Sequence, residues 1–418
     1  MKVLKFGGTS VGSAQRMKDV AKLITDGEQK IVVLSAMSGT TNTLVEISDY
    51  LYKKNPEGAN EVINKLEAKY KQHIEELYST EEYKQKTLEF VKSVFDYIRS
   101  YTKDIFTLFE EKVILAQGEI ISTNMVTNYL CEQGVKATLI PALEFMRTDK
   151  NSEPDLTYIR EKLAIQLEAN PDYEIYITQG FICRNAYGEI DNLQRGGSDY
   201  TASLIGAAVN ASEIQIWTDI DGMHDNDPRI VDKTSPVRQL HFEEAAELAY
   251  FGAKILHPTC VQPAKYANIP VRLLNTMEPT APGTLISNET EKGKIKAVAA
   301  KDNITAIKIK SSRMLLAHGF LRKVFEIFES YQTAIDMVCT SEVGVSMSID
   351  NTKHLNEIVD DLKKYGTVTV DHDMCIVCVV GDLEWENVGF EAKALDAMRD
   401  IPVRMISFGG SNYNISFL

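Results

Sequence analysis

Short apolar runs alternate with segments of helical periodicity through the first two-thirds of this chain. Such alternation predicts an α/β fold with a largely parallel central sheet flanked by helices. The predicted strands are Val3–Phe6, Ile31–Leu34, Thr138–Ile140, Ile175–Thr178, Ile214–Thr218 and Val271–Leu274. Several of them run into loops rich in glycine and hydroxyl groups. Because open α/β sheets bind ligands at the carboxyl ends of their strands, we expect the ligand-binding and catalytic residues to lie in those loops.

One segment interrupts the alternation. No glycine or proline occurs between Ala59 and Gln117. Apolar residues recur there at helical spacing, at Val62, Leu66, Tyr70, Ile74 and Leu77. The pattern predicts a helical insertion at about residues 57–112, with lysine and glutamate on its outer face. This composition favours a packing or oligomer surface over a direct catalytic role.

The last third of the chain contains a weak internal repeat. A change in composition at residues 280–293 predicts a domain boundary. Beyond it, an offset of 70 residues (389 − 319) aligns Gly319 with Gly389 and Ser341 with Ser411. The second copy stops before a helix that the first copy has. We expect a strand from elsewhere to complete it, and the alternatives are completion by a helix or a chain that is cut short. The predicted domains are 1–295, 303–371 and 372–418.

Composition and charge narrow the possible partners. The 418 residues are 44% hydrophobic and 25% charged, as in ordinary globular proteins. A net charge of −14 without a basic cluster argues against nucleic acid as a partner. No apolar run is long enough to span a bilayer, and the N-terminus leads directly into a strand instead of a signal peptide. We therefore expect no membrane partner and a cytoplasmic location.

The cysteines and histidines give no indication of a metal site built from protein side chains. The 6 scattered cysteines suit a reducing compartment. Cys375 and Cys378 form a C-x-x-C, but they lie in an apolar run typical of a buried strand, and no second pair accompanies them. The histidines have none of the spacings of zinc sites. We interpret these cysteines as core residues.

The loop after the first strand combines a cation with glycines and hydroxyls, in Lys5–Ser10. Exposed backbone N–H groups and the N-terminus of the following helix would cradle an anion such as phosphate. The loop is not a P-loop, because Ser13 occupies the position of that motif's lysine. The motifs of protein kinases do not follow it either. On its own, this turn is equally typical of a tight connection between a strand and a helix.

Two further loops carry charges that suit anionic ligands. Arg195 can bind a carboxylate through two parallel hydrogen bonds. Ser198 and Asp199 lie where the N-cap of a helix is expected. Plain capping is the alternative, and it is compatible with a ligand role. A later loop holds acids and an arginine that suit a magnesium nucleotide, although such residues also form routine turns. This loop contains Thr218, Asp219, Asp225, Asp227 and Arg229.

Glu119 lies in an otherwise apolar stretch. A buried acid usually has a cationic partner, and the ammonium group of a ligand would serve. Phosphoryl transfer requires positioning and charge neutralisation more than covalent help from the protein. A carboxylate acceptor is already ionised at neutral pH and needs no general base. The clusters therefore suit a kinase that acts on a carboxylate.

Together these motifs resemble the aspartate kinase family of the amino-acid kinase superfamily. The matching strings, in the family's order, are KFGGTS (5–10), SGTTN (38–42), QGE (117–119), GF (180–181), RGGSDYTAS (195–203), TDIDG (218–222), DPR (227–229) and FGAKILHP (251–258). The strings GFL (319–321) and TSEV (340–343) continue the order in the C-terminal region. The resemblance covers nearly the whole chain except the helical insertion.

The resemblance implies an amino-acid kinase fold followed by two ACT modules, which are small βαββαβ units that bind amino acids. It implies phosphorylation of the aspartate β-carboxylate to 4-phospho-L-aspartate, with ATP and Mg²⁺ as cofactors. This reaction begins the route to lysine, threonine and methionine, so an amino-acid effector would act on the ACT region. Pairing of ACT modules implies a homodimer or homotetramer. Because the chain ends at Leu418, without a homoserine dehydrogenase half, we expect a monofunctional enzyme.

The family's functional residues carry over onto matching positions. Lys5 and Asp199 would be catalytic, with Lys5 stabilising the transferred phosphoryl group. Arg195 would pair with the α-carboxylate of aspartate, and Glu119 or Asp199 would lie near its ammonium group. The residues that hold the amino acid would be Thr41, Glu119, Phe181, Arg195, Ser198 and Asp199. The residues on the nucleotide would be Lys5, Gly7, Gly8, Thr218, Asp219, Asp225, Asp227, Arg229 and Lys254.

The effector would bind the first ACT module through Met314, Gly319, Phe320, Leu321, Ile335, Asp336, Ser341 and Glu342. Asp336 and Glu342 would receive its ammonium groups, and the alternative is that these acids only cap strands. His224 replaces a tyrosine of many relatives in the nucleotide loop, which leaves the contacts to the base open. Ala317 replaces a serine of some lysine-regulated relatives, which leaves the identity of the inhibitor open.

Two other functions remain as alternatives. One is an amino-acid kinase that acts on glutamate or N-acetylglutamate, since the superfamily shares the sheet and the glycine loops. The other is an amino-acid sensor without catalytic activity. The presence of Lys5, Arg195, Asp199 and Lys254 disfavours the sensor, because no charged group of the site is missing.

Overall fold

The computed structural model describes residues 1–103, 105–193, 196–251, 256–311 and 318–418. The chain forms two compact units, each built from several stretches of sequence. The first unit contains Met1–Met223, Pro236–Phe242 and Ile255–Asn288, and the second contains His224–Ser235, Glu243–Lys254 and Glu289–Leu418. No helix among the described residues is long and apolar enough to cross a membrane.

An eight-stranded sheet forms the centre of the first unit. Its strands and those of a small hairpin are β1 (Lys2–Phe6), β2 (Lys30–Leu34), β3 (Ala137–Leu139), β4 (Ile175–Gln179), β5 (Ile182–Arg184), β6 (Ile190–Asn192), β7 (Ile214–Thr218), β8 (Gln239–His241), β9 (Val271–Asn275) and β10 (Thr284–Ser287). The order across the sheet is β3-β4-β2-β1-β7-β9-β10-β8, and only the β9–β10 pair is antiparallel. The predicted α/β class with a mainly parallel sheet is thus confirmed.

Helices surround this sheet. Those of the first unit are α1 (Ala14–Ile24), α2 (Thr40–Tyr52), α3 (Pro56–Leu77), α4 (Glu81–Ser100), α5 (Leu108–Glu132), α6 (Leu156–Glu168), α7 (Gly197–Val209) and α9 (Gln262–Tyr266). A further helix, α8 (Phe242–Phe251), belongs to the second unit except for its first residue. The segment predicted as a helical insertion forms α3, α4 and the first turn of α5. Apolar side chains of α3 and α4 enter the same core as those of α1 and β1. The insertion is therefore packed into the first unit along its length.

The register of the sheet aligns the ends of its central strands. Phe6 at the end of β1 lies opposite Leu34 of β2 and Trp217 of β7, and Leu34 lies opposite Gln179 of β4. The loops that follow β1, β2 and β4 therefore leave the same edge of the sheet, which is the expected position for a ligand.

A six-stranded antiparallel sheet forms the C-terminal part of the second unit. Its elements are β11 (Ile295–Lys310), α10 (Phe320–Ser330), β12 (Val338–Ser341), β13 (Gly344–Ile349), α11 (Leu355–Lys363), β14 (Thr367–Gly381), α12 (Phe390–Ala397), β15 (Ile406–Phe408) and β16 (Asn414–Phe417). Residues 304–310 of β11 pair with residues 367–374 of β14, and residues 295–301 pair with 376–381. The early part of β11 therefore stands beside the short second copy of the repeat.

Candidate active site

A cavity of about 390 Å³ opens at the carboxyl edge of the first sheet, a size typical of small-molecule sites. It is bounded by the loops after β1, β2 and β4, by α5 and by the start of α7. The predicted site residues that line it are Lys5, Gly8, Thr41, Glu119, Phe181, Ser198 and Asp199. The structure thus brings residues from widely separated motifs into one pocket.

Lys5 and Asp199 form an ion pair inside the cavity. Lys5 Nζ lies 2.7 Å from Asp199 Oδ1, and the two side chains are 12% and 11% exposed. A Cβ on Gly7 would stand 3.5 Å from Lys5 Nζ, so the ammonium group lies directly beside the glycine loop. Because the surroundings exclude most of the water, this cation would act strongly on any anion that entered.

Glu119 lies on α5 and is only 3% exposed. Its Oε1 accepts a hydrogen bond from the Ala36 N–H at 3.2 Å, while its Oε2 has no partner among the described residues. Burial raises the pKa of this carboxyl group to about 8. A buried carboxyl group with an open oxygen is suited to a cationic ligand group, which would favour its ionised form.

Residues 35–42, which comprise the turn after β2 and the first residues of α2, form one wall of the cavity. Their backbone approaches the first glycine loop closely, since the Ser38 N–H donates to the Gly8 carbonyl at 3.1 Å. A Cβ on Gly8 would stand 2.8 Å from the Ala36 carbonyl oxygen, which real Cβ atoms do not tolerate. Glycine at this position is therefore required for the two loops to pack together.

Phe181 follows β4 in a left-handed conformation, with φ of 67°. Its N–H donates to Thr201 Oγ1 at 3.1 Å, which ties it to α7. A Cβ on the neighbouring Gly180 would meet Ser198, so these chain segments are in direct contact. Residues other than glycine adopt this conformation only where the surrounding structure enforces it, often at ligand sites.

The N-cap of α7 differs from the prediction. Gly196 is the N-cap, with φ of 74° and no side-chain hydrogen bond, and Ser198 and Asp199 lie in the first turn. The expected capping role of these two side chains is therefore wrong. Their position in the first turn instead directs them to the cavity, where Asp199 meets Lys5. Arg195 and Lys254 lie outside the described residues.

The residues expected on the nucleotide divide between the two units. Gly7 donates its N–H to the Trp217 carbonyl at 3.2 Å, so Thr218, the last residue of β7, and Asp219 after it lie close to the glycine loop. Asp225, Asp227 and Arg229 lie in the second unit and form a turn there. Asp225 accepts from the Ser235 N–H at 2.8 Å, and Asp227 pairs with Arg229, whose Nε lies 2.9 Å from Asp227 Oδ1. Turn formation was the alternative given for these residues.

The residues expected to bind an effector lie in the second unit. Gly319 is the N-cap of α10 in a left-handed conformation, Phe320 is buried behind it, and Leu321 is exposed on the helix. Ile335 packs against the core of this module, and Ser341 and Glu342 are exposed at the turn between β12 and β13. Met314 lies outside the described residues.

Asp336 already has a cationic partner within the protein. Its side chain is 2% exposed, and Lys301 Nζ lies 2.9 Å from its Oδ1. Tyr250 donates its hydroxyl to the same oxygen at 2.7 Å. Lys301 also pairs with Asp350 at 2.9 Å. Asp336 is therefore more than a strand cap, and an effector ammonium would have to compete with Lys301 for it.

No group of three or more His, Cys, Asp or Glu side chains that could hold a metal ion occurs in the described part of the chain. All cysteines are free, including Cys375 and Cys378.

Several functional contacts could not be anticipated from the sequence. The sequence predicts Thr41 as a substrate residue in the string SGTTN (38–42), but it does not single out the Ala36 N–H that binds Glu119 or the pocket residue Asn42. Tyr70, whose hydroxyl contacts Thr40 at the start of α2, is predicted only as an apolar position of the insertion. A hydroxyl on an otherwise apolar helix face was the available signal.

Comparison with known proteins agrees with this geometry. The amino acid kinase family matches residues 1–275, and an ACT domain matches residues 377–418. Aspartokinase 1, chloroplastic, of Arabidopsis thaliana is 36% identical, over 100% of this chain and 77% of its own length. Lysine-sensitive aspartokinase 3 of Escherichia coli K12 is 32% identical, over 100% of this chain and 95% of its own.

Solved structures agree as well. Escherichia coli aspartokinase III in complex with aspartate and ADP has a TM-score of 0.85 at 31% identity, covering 100% of this chain and 95% of that one. The same enzyme in complex with lysine and aspartate has a TM-score of 0.81 at 32% identity, with the same coverage. On sequence, fold and site together, the chain belongs to the aspartokinases of the amino acid kinase family.

Proposed function

We propose that this aspartokinase transfers the γ-phosphoryl group of ATP to the β-carboxylate of L-aspartate and forms 4-phospho-L-aspartate and ADP. The observation that carries the proposal is the pairing, in one cavity, of a buried carboxyl group with an open oxygen and a buried lysine beside a glycine loop. Glu119 supplies a partner for an ammonium group, and Lys5 supplies one for a phosphoryl group. The related enzyme of Escherichia coli has been solved with aspartate and ADP.

In the proposed mechanism, the enzyme binds the ammonium group and the α-carboxylate of aspartate, which leaves the β-carboxylate free to react. Glu119 holds the ammonium group, and Arg195 holds the α-carboxylate. The β-carboxylate then points at the γ-phosphate and attacks it in line, without a general base. Lys5 neutralises the charge that spreads over the transferred group, and Asp199 orients Lys5 through their 2.7 Å ion pair. Thr41, Phe181 and Ser198 complete the amino-acid pocket.

For the nucleotide, we propose contacts from Gly7, Gly8, Thr218 and Asp219, together with Asp225, Asp227, Arg229 and Lys254. A Mg²⁺ ion bound to the phosphates would supply further charge neutralisation. We also propose a catalytic domain at 1–295 and ACT modules at 303–371 and 372–418, with assembly into a homodimer or homotetramer through those modules. The free cysteines support a reducing compartment such as the cytoplasm.

A hydroxylamine trap tests the proposed reaction and substrate. The purified protein is incubated with Mg-ATP, hydroxylamine and single amino acids, because hydroxylamine converts an acyl phosphate into a hydroxamate, which forms a coloured complex with ferric ions. We expect signal with L-aspartate and none with L-glutamate or N-acetyl-L-glutamate. Hydroxamate formed only with glutamate or N-acetylglutamate would show that the enzyme is an amino-acid kinase with that substrate instead of aspartate. A protein that binds ATP but forms no hydroxamate with any amino acid would support the alternative function, an amino-acid sensor without catalytic activity.

Regulation by an amino acid at the first ACT module is part of the proposal. Gly319 is the N-cap of α10 and Phe320 and Leu321 are its first residues. Asp336 offers a buried carboxylate whose Oδ2 has no partner among the described residues. We propose that an effector's ammonium group binds Asp336 in competition with Lys301. The Escherichia coli relative has been solved with lysine, which makes lysine the first effector to test, followed by threonine and methionine.

The Lys301→Met variant tests this competition. Removing the internal cation leaves Asp336 for the effector alone, so the concentration for half-inhibition is expected to fall, by about tenfold for a charge-assisted hydrogen bond. Inhibition curves in the hydroxamate assay provide the measurement. Lys308→Met, on the same strand but without an ion pair among the described residues, is the matched control. An unchanged or raised half-inhibition concentration in Lys301→Met would contradict the competition.

A further inference from the structure

The wall of the cavity formed by residues 35–42 has to hold two functional groups in place. The Ala36 N–H donates to Glu119 at 3.2 Å, and Thr41 lines the cavity. Gly39, between them, is in a left-handed conformation with φ of 83°, where the chain turns from β2 into α2. The turn is held by its own hydrogen bond from the Thr40 N–H to the Met37 carbonyl at 2.9 Å and by contacts with neighbouring segments.

Helix α3 of the insertion supplies two such contacts. The Tyr70 hydroxyl lies 2.8 Å from Thr40 Oγ1, and each of these residues is 1% exposed. One position earlier, Lys69 donates through Nζ to the Ser38 carbonyl at 3.2 Å. The same helix therefore binds the wall on both sides of Gly39, once through a side chain and once through the backbone.

Tyr70 is itself held firmly. Its ring packs against Phe95 of α4 at a centroid distance of 5.9 Å, within the core of the first unit. Burial raises the pKa of the Tyr70 phenol far above neutrality, so the hydroxyl keeps its proton across the working pH range. A rigid neutral hydroxyl can fix the position of Thr40 without adding charge to the cavity.

We propose that Tyr70, assisted by Lys69, is a positioning residue for the amino-acid end of the cavity. Through Thr40 it holds the wall so that the Ala36 N–H stays aligned with Glu119 and Thr41 faces the substrate. The inference rests on the proposed function of this cavity, and it gives the helical insertion a role in substrate binding.

The Tyr70→Phe variant tests the inference because it removes the hydroxyl and keeps the ring in the core. Loss of one buried hydrogen bond is expected to raise the KM for aspartate about tenfold. The KM for ATP and kcat should change less than about twofold, since the contact orients the amino-acid end alone. Steady-state kinetics with each substrate varied in turn provides the measurement.

Tyr78→Phe is the matched control. Tyr78 is 5% exposed and donates its hydroxyl to the Met125 carbonyl at 2.7 Å, but it makes no contact with residues 35–42 among its described hydrogen bonds. Both variants remove a buried, hydrogen-bonded tyrosine hydroxyl, so Tyr78→Phe should lower Tm at least as much as Tyr70→Phe. A merely structural role for Tyr70 therefore predicts the same kinetics for the two variants, whereas a positioning role predicts a raised aspartate KM in Tyr70→Phe alone.

Thr40→Val gives a second, independent variant. It removes the partner hydroxyl, so its aspartate KM should match that of Tyr70→Phe, and the double variant should add little to either. Lys69→Gln, at an exposed position, should raise the KM about twofold. Wild-type aspartate kinetics in both Tyr70→Phe and Thr40→Val would overturn the inference while leaving the proposed reaction intact. A wild-type protein that forms no aspartyl hydroxamate would contradict the proposed function instead.

Discussion

Replacement of Lys5 by methionine is expected to lower kcat by about 10³-fold. The lysine ammonium lies in the cavity beside the glycine loop, 2.7 Å from Asp199, and methionine keeps much of its volume without the charge. Charge on the transferred phosphoryl group develops most fully in the transition state, so the loss should fall on kcat more than on either KM. Initial rates of ADP release with both substrates saturating measure the effect.

Removal of Lys5 also leaves Asp199 buried without its cation, and a control must separate that cost from catalysis. The double variant Lys5→Met/Asp199→Asn removes both charges, so its Tm should recover relative to Lys5→Met. Its kcat should stay low, because the missing cation is not restored. A kcat within tenfold of the wild type in a folded Lys5→Met variant would contradict the assigned role of this lysine.

Replacement of Glu119 by glutamine is expected to raise the KM for aspartate by on the order of 10²-fold, because a buried partner of the substrate ammonium is lost. Glutamine preserves the shape of the side chain and its hydrogen bond to Ala36. Glu111→Gln, at a partly exposed position of the same helix, is the matched control and should leave the KM unchanged. An unchanged aspartate KM in Glu119→Gln would remove this residue from the ammonium site.

The pH dependence of aspartate binding gives the same role an independent test. Burial raises the pKa of Glu119 to about 8 in the ligand-free cavity, and the substrate ammonium binds its ionised form. Below pH 8 the carboxyl group must lose its proton on binding, so the aspartate KM should fall as the pH rises from 6, by at most tenfold per unit, and level off above about 8. The Glu119→Gln variant should lose this dependence.

The stability of the ligand-free protein should change with pH in the opposite sense. The folded pKa of Glu119 is above its unfolded value of 4.5, so the folded state binds the additional proton between these values. The free energy of unfolding should therefore decrease as the pH rises from about 4.5 to about 8. Glu119→Gln should be more stable than the wild type at pH 8 and closest to it at pH 5, as measured by chemical denaturation.

The class of fold followed from the sequence because it depends on local patterns, whereas cavity residues such as Thr41 and Phe181 were implied by the family resemblance. Apolar runs predicted β1, β2, β4, β7 and β9, and parallel strands place their following loops at one edge of the sheet. That rule alone brings Lys5 near Gly39 and Phe181. Short strands such as β8, with few apolar residues, carried no comparable signal.

Contacts between distant segments could not be predicted in the same way. The Tyr70–Thr40 hydrogen bond spans 30 residues, and the Lys301–Asp336 ion pair spans 35. No single-sequence pattern specifies which polar atoms meet across a packed interface, because the outcome depends on tertiary geometry. The predicted N-cap of α7 was wrong for a related reason. Gly196, in a left-handed conformation, occupies the N-cap position that was expected for Ser198 or Asp199.

The central claim, transfer to the side-chain carboxylate of aspartate, is tested most directly by locating the bond that forms. L-Aspartate labelled with ¹³C at its β-carboxyl carbon is incubated with the enzyme, Mg-ATP and hydroxylamine, and the products are followed by NMR. The account predicts that the labelled carbon itself becomes the hydroxamate carbon, with one ADP formed per hydroxamate. A hydroxamate in which the labelled carbon remains a free carboxylate, and the α-carboxyl group has reacted instead, would contradict it.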